Sequence, residues 1–178
     1  MQVRDARALF DGAELSAAPS VWADLGCGDG TFTMALASLL APGSVVHAID
    51  RDASAVARVP AALDAVRIEK HVGDFTRSWP FSSLLDGILM ANSLHYVRDQ
   101  RAFLRACLSL MSEAGRFLIV EYDTFSSSPW VPYPIGRDVL QELFSELGTV
   151  TMLGTRKSTY GRARLYAAMV TRRAPVIA

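Results

Sequence analysis

Cysteine is nearly missing. Only Cys27 and Cys107 occur in 178 residues, in different expected elements and with no metal-ligand spacing. A disulfide framework and a cysteine metal knot are therefore excluded, and a reducing cytoplasm is the expected setting. Long hydrophobic runs are missing too. No apolar stretch reaches the roughly 18 residues that span a bilayer. The opening Met1-Gln2-Val3-Arg4-Asp5-Ala6-Arg7 lacks the apolar core of a secretory signal. No membrane partner is expected. Net charge is also lacking, with 18 basic against 18 acidic side chains, whereas a dedicated nucleic-acid binder shows a basic surplus. The balance is uneven along the chain: residues 1–125 hold 11 basic and 15 acidic groups, residues 126–178 hold 7 and 3. A basic tail of that size suits the tuning of a substrate pocket. Repeats and low-complexity segments are absent, and the length suits one domain. We read residues 1–18 as a short N-terminal helical segment and 19–178 as the core.

What is present centres on Val21-Trp22-Ala23-Asp24-Leu25-Gly26-Cys27-Gly28-Asp29-Gly30-Thr31-Phe32. An apolar run enters three glycines at alternate positions, and an amphipathic helix follows. That order builds a ligand cradle at the carboxyl end of a first strand. The spacing departs from the dinucleotide pattern G-x-G-x-x-G, because the sixth position from Gly26 is Thr31. Asp24 and Asp29 also disfavour a bound pyrophosphate, since two carboxylates repel a dianion and attract a cation.

The rest of the chain alternates. Helical spacing predicts helices over 3–11, 30–41, 53–58, 98–112 and 136–147, with Asp52 as a cap for the third. Apolar, β-rich runs predict strands over 20–25, 44–50, 66–72, 85–91, 117–122, 149–155 and 164–171. Residues 123–135, with Pro129, Pro132 and Pro134 beside Trp130 and Tyr133, read as a semi-rigid loop whose aromatics need burial or a ligand. Strand–helix alternation ending in a hairpin predicts a doubly wound α/β fold.

Asp24-Leu25-Gly26-Cys27-Gly28-Asp29-Gly30 resembles the first motif of class I S-adenosylmethionine-dependent methyltransferases, and the later landmarks fall in that family's order from about residue 20 to about residue 171. The resemblance implies a seven-stranded, Rossmann-like mixed sheet of order 3-2-1-4-5-7-6 with the last strand antiparallel. It implies S-adenosyl-L-methionine as cofactor, whose sulfonium and ammonium suit an acidic turn. The motif is specific for the cofactor and nearly silent about the substrate.

Each candidate site residue lies just past a strand end. Asp24, Gly26, Cys27 and Gly28 form the cradle. Asp50 closes the second strand, where a carboxylate accepts from ribose hydroxyls. Arg51 either lies over the adenine or points to water. In the resembled family the position of Asp74 accepts from the adenine amine, and Phe75 packs either on the ring or in the core. Asn92, after the fourth strand, is expected to meet the cofactor through its backbone carbonyl. His95 is a general-base candidate, with packing between the fourth strand and the next helix as the bland alternative. His47 and His71 read as structural. Asn92-Ser93-Leu94-His95 departs from the Asn/Asp-Pro-Pro-Tyr version that clamps planar amines, and neither cysteine sits in a Pro-Cys setting. On the acceptor side we expect Trp130 and Tyr133 from the loop after strand five, and Arg156, Lys157 and Tyr160 near the final turn, which also holds Arg162. They suggest a small-molecule acceptor with an aromatic or apolar body and an anionic group. A solvated basic turn with core aromatics is the competing reading. The short N-terminus suggests an open pocket or one closed by a partner subunit, as in a homodimer. Two other classes stay in view: a non-catalytic cofactor-binding subunit of a larger complex, and, less well supported by the spacing, a nucleotide-dependent oxidoreductase. RNA or protein methylation is a further variant of the leading reading.

Overall fold

The computed structural model describes residues 1–158 and 163–173. Its elements run α1 (Val3–Leu9), β1 (Val21–Leu25), α2 (Thr31–Ala37), β2 (Val45–Asp50), α3 (Ala53–Arg58), β3 (Ala62–Leu63), β4 (Val66–Val72), β5 (Leu85–Ala91), α4 (Gln100–Leu108), β6 (Met111–Asp123), α5 (Arg137–Phe144), β7 (Gly148–Lys157) and β8 (Arg164–Arg172). One sheet carries them in the order β3-β4-β2-β1-β5-β6-β8-β7. β4, β2, β1, β5 and β6 pair in parallel, and β8 runs antiparallel between β6 and β7. With the two-residue β3 set aside, this is the expected seven-strand order with its antiparallel last strand.

β3 is the addition. Asp64 takes a positive φ of 49°, and this left-handed step, which an aspartate tolerates, lets Leu63 pair with Val66. The hairpin covers the start of the outer edge of β4, where backbone groups would otherwise be unpaired. Four helices are shorter than their apolar periodicity suggested, whereas α3 matches its expected range. α2 ends at Ala37 rather than residue 41, and α4 stops at Leu108, because Met111 already starts strand β6. The cap assigned to Asp52 is present: its Oδ1 accepts from the Ser54 and Ala55 amides at 2.9 and 3.1 Å.

Strand alternation splits the buried side chains between the two sheet faces. Trp22, Val46, Ala48, Leu89, Leu118 and Val120 pack with α1, α2 and α3 on one side. Ala23, Ile49, Ile88, Met90, Phe117 and Ile119 pack with α4 and α5 on the other. Between β4 and β5 the chain crosses with a loop, 73–84, and no helix. Among the described residues no helix is long and apolar enough to cross a membrane.

Candidate active site

Parallel β1, β2 and β5 bring their carboxyl ends to one place, and the glycine turn is fixed there by its neighbours. The Gly26 and Cys27 amides donate to the Ile49 carbonyl of β2 at 2.9 and 3.0 Å. Gly26 sits at φ +87°, and a Cβ added to it would lie 2.5 Å from the Ser93 Cβ and 3.2 Å from the Phe75 ring. Glycine is needed here twice, for the backbone angle and for the approach of the chain after β5. The Ser93 hydroxyl locks that approach by donating to the Leu25 carbonyl.

Asp50 completes the turn. One carboxylate oxygen accepts from the Gly28 amide and the other from the Asp52 amide, both at 2.9 Å. Each oxygen keeps a second acceptor site for a ligand hydroxyl. A cavity of about 210 Å³ opens on the turn, lined by Gly26, Cys27, Gly28, Asp29, Thr31, Phe32, Ala91, Asn92 and Met1.

Asp24 departs from its expected role. It does not stand in the turn as an open carboxylate but is fully buried, and its Oδ2 accepts from the Thr33 hydroxyl of α2 at 2.6 Å. Burial pushes its pKa up to about 7, against the opposing Thr33 bond, and the Asp50 charge adds to the rise. The cradle therefore carries less fixed negative charge at neutral pH than the sequence implied. Thr33 was missed, although a threonine on the buried side of an apolar helix signals a polar partner beneath it.

Two buried oxygens around the turn, Asp24 Oδ1 and Asn92 Oδ1, have no hydrogen-bond partner among the described residues. Unpaired buried acceptors cost free energy, and a cationic, donor-bearing ligand would satisfy them. A Cβ at Gly28 would meet nothing within 4 Å, so backbone there is open to close approach. These features fit a nucleoside carrying an ammonium and a sulfonium. Gly26, Cys27, Gly28, Asp50 and Asn92 would hold it.

The adenine-side candidates lie at the adjacent strand end. Asp74 has one oxygen accepting from the Thr76 hydroxyl and amide, at 2.6 and 2.9 Å, and the other 3.3 Å from Arg77. The Thr76 bonds, with Arg77 and Arg51 nearby, hold its carboxyl below the usual range. Arg51 is exposed. Phe75 packs in the core, edge-on against Phe103 of α4 at 5.9 Å, and its ring edge borders Gly26. Burial, with the Asp24 and Asp50 charges, pushes the Cys27 thiol pKa far up. Burial alone raises that of Cys107 to about 12.

Asn92 also borders a second cavity. It has φ +55°, a backbone conformation that is uncommon outside glycine, and it lines both spaces. The second cavity, about 620 Å³, is bounded by Asn92, His95, Tyr96, Tyr122, Thr124, Ser126, Ser128, Trp130, Val131 and Ala163. That volume suits a small organic molecule.

His95 lies in a short 3₁₀ turn, Leu94–Tyr96, and is 1% exposed. Its Nδ1 is 2.6 Å from Oε2 of Glu121, and its backbone amide donates to Oε1 of the same carboxylate at 3.1 Å. A carboxylate can only accept, so Nδ1 is the ring nitrogen that donates to it. Nε2 has no partner among the described residues. Glu121, fully buried in β6, was missed. Its signal was a lone acid inside the run Phe117-Leu118-Ile119-Val120-Glu121-Tyr122.

The loop after β6 lies beside this pair, with Trp130 in the lining of the larger cavity and Tyr133 absent from it. The Tyr133 amide donates to the His95 carbonyl at 3.0 Å, Gln100 holds the Tyr133 carbonyl, and the Tyr166 hydroxyl holds that of Ile135 at 2.7 Å. Trp130 lines the cavity although it is 80% exposed. Ala163 places the end of the β7–β8 turn on the same face. The charged residues at the end of β7 do not follow. Arg156 points to α1, where it pairs with Asp5 at 3.3 Å, because β7 packs against α1. Lys157 is exposed and absent from the lining. Tyr160 and Arg162 lie outside the described residues.

A methyltransferase domain model matches residues 23–117, just over half of the chain. No curated protein matches it. Among solved structures, the YcgJ protein from Bacillus subtilis superposes with a TM-score of 0.70 at 16% identity, over 96% of this chain and 99% of that one. The mitomycin 7-O-methyltransferase MmcR gives 0.64 at 18% identity, over 96% of this chain and 53% of that one. The plantazolicin methyltransferase BpumL, in complex with SAH, gives 0.62 at 13% identity, over 96% and 82%. These likenesses establish the fold, and with the domain match and the glycine motif they lead to one assignment: the chain belongs to the methyltransferase-domain family, as a class I S-adenosylmethionine-dependent methyltransferase.

Proposed function

We propose that the acceptor is a small molecule with an aromatic or apolar body and a hydroxyl as the methylated group, and that His95 is the base. The observation that carries this reading is the His95–Glu121 pair beside the larger cavity, with Nε2 the one imidazole nitrogen left for a ligand. S-adenosylmethionine supplies a methyl group on an already activated sulfonium. The protein's share is to bind, orient and deprotonate. The glycine turn and Asp50 fix the nucleoside, and Asn92 borders both cavities. Tyr96, Tyr122 and Trp130 offer aromatic faces to the acceptor, which exclude water and restrict its orientation.

Nε2 of His95 accepts the acceptor's hydroxyl proton. Glu121 holds the imidazole in the matching tautomer and stabilises the imidazolium that results. No lysine or arginine lines the larger cavity among the described residues. An anionic group on the acceptor has no support from them, and the proposed acceptor carries none.

The test is methyl transfer across a panel of phenolic and aliphatic hydroxyl compounds, with the parent protein and His95→Gln. A fall in kcat of about 10²–10⁴-fold, with cofactor affinity unchanged, supports the base. Equal turnover by the variant on every productive acceptor removes it.

A further inference from the structure

A second cluster of titratable side chains lies apart from both cavities, on the sheet face below the loop that crosses from β4 to β5. We propose that His47, Glu69 and His71 form a binding site for a divalent transition-metal ion of the zinc type. None of the three lines either cavity, so the site is separate from the methyl-transfer machinery and does not depend on its assignment.

The strands create the convergence. β2 and β4 are parallel, with His47 beside Glu69 and Ile49 beside His71. Glu69 and His71 are two apart and so share one face of the sheet. His47 Nδ1 lies 3.1 Å from His71 Nε2 and 3.2 Å from Glu69 Oε2. The three ligand atoms all fall within 4.8 Å of one another.

These spacings are those of a ligand shell. A tetrahedral ion with bonds of about 2.0–2.1 Å holds its ligand atoms roughly 3.3 Å apart. Two sides of the triangle already have that length, and the third can close by rotation of Glu69 and His71, which are partly exposed. Hydrogen bonding explains the arrangement less well. One imidazole nitrogen carries at most one proton, yet Nδ1 of His47 faces both a carboxylate oxygen and a second imidazole nitrogen.

The supporting groups are also present. Glu69 divides its oxygens: Arg67 Nη1 holds Oε1 at 2.7 Å, which orients the carboxylate and leaves Oε2 toward the histidines. Such outer partners are typical of metal ligands. His47 is nearly buried, and its ring packs against His71 and against Phe81 of the crossing loop, both with centroids at 5.3 Å. The partial exposure of Glu69 and His71 leaves the remaining coordination positions to water. Two imidazoles with one carboxylate suit zinc and its neighbours and disfavour calcium or magnesium, which prefer oxygen ligands.

The experiment titrates zinc into tag-free protein against a chromophoric chelator, for the parent, His71→Ala, Glu69→Gln and His95→Gln. Circular dichroism and melting in EDTA establish that each variant is folded. One equivalent should bind the parent, with a rise in Tm of roughly 5–10 °C at a hundredfold excess over Kd. Affinity should fall at least tenfold in His71→Ala and Glu69→Gln and stay unchanged in His95→Gln. Cobalt(II) in the parent should give visible bands of low coordination number that His71→Ala abolishes. If the parent binds no zinc, or if folded His71→Ala binds it as tightly, the proposal is overturned.

Discussion

Replacing Asp24 by asparagine separates the burial of this carboxyl from every other feature of the cradle. In the fold its pKa is raised from 3.8 to about 7, with desolvation the leading cause. A carboxyl raised in this way contributes full stability below its unfolded pKa, and that contribution is lost as pH rises toward the folded value. Between pH 5 and pH 8 the unfolded chain holds almost no proton on Asp24, whereas the native state gives its proton up only near 7. Integrating the two titration curves, the parent loses about 2–3 kcal/mol over that interval through this one group. An asparagine does not titrate, so the variant loses nothing at this position. The new amide can keep the Thr33 bond, and any penalty from its second polar atom is constant with pH and cancels from the comparison. The stability difference, Asp24→Asn minus parent, should therefore rise by about 2–3 kcal/mol between pH 5 and pH 8, or roughly 5–10 °C in Tm for a chain of this size. Denaturant melts of both proteins at four pH values measure it. A difference that stays flat across that range refutes the claim that Asp24 is held neutral by burial.

Other consequences are simpler to read. Asp24→Asn should also weaken S-adenosylmethionine binding more at pH 8 than at pH 6, because only the ionised parent offers the cation a charge; calorimetry at the two pH values checks this. Glu121→Gln should lower kcat by one or more orders of magnitude and alter the pH–rate profile while leaving cofactor affinity intact, whereas a packing defect would show as a fall in Tm alone. Trp130→Ala should raise the acceptor KM with little change in Tm, since the indole is largely exposed. Charge reversal of Arg156 should leave the acceptor KM unchanged, because its partner is Asp5 on α1 and no acceptor-cavity residue.

The fold was legible where local chemistry and burial agree. The glycine turn, the apolar parallel strands and the Asp52 cap each carry their own signal, and all three stand where expected. The strand order came with the family resemblance, since crossover connections do not reveal their order through local pattern. The cradle was legible as a place but not in its electrostatics. That a strand acid faces the buried side of a helix depends on Thr33, nine residues away and on another element. Glu121 shows the same limit. A lone acid in an apolar strand announces that something must satisfy it, yet its partner, His95, comes from a turn 26 residues earlier. Ala163, just before β8, lines the larger cavity, whereas Arg156 turns away from it, because α1 lies beside β7 and captures the guanidinium through a contact that no periodicity encodes.

Gly26 offers the most direct measurement, since alanine there would meet Ser93 at 2.5 Å and must hold φ +87°. Calorimetric titration of S-adenosylmethionine into the parent and into folded Gly26→Ala should give one site for the parent and at least a hundredfold weaker binding for the variant. Absence of binding by the parent, or equal binding by the two, would contradict the account.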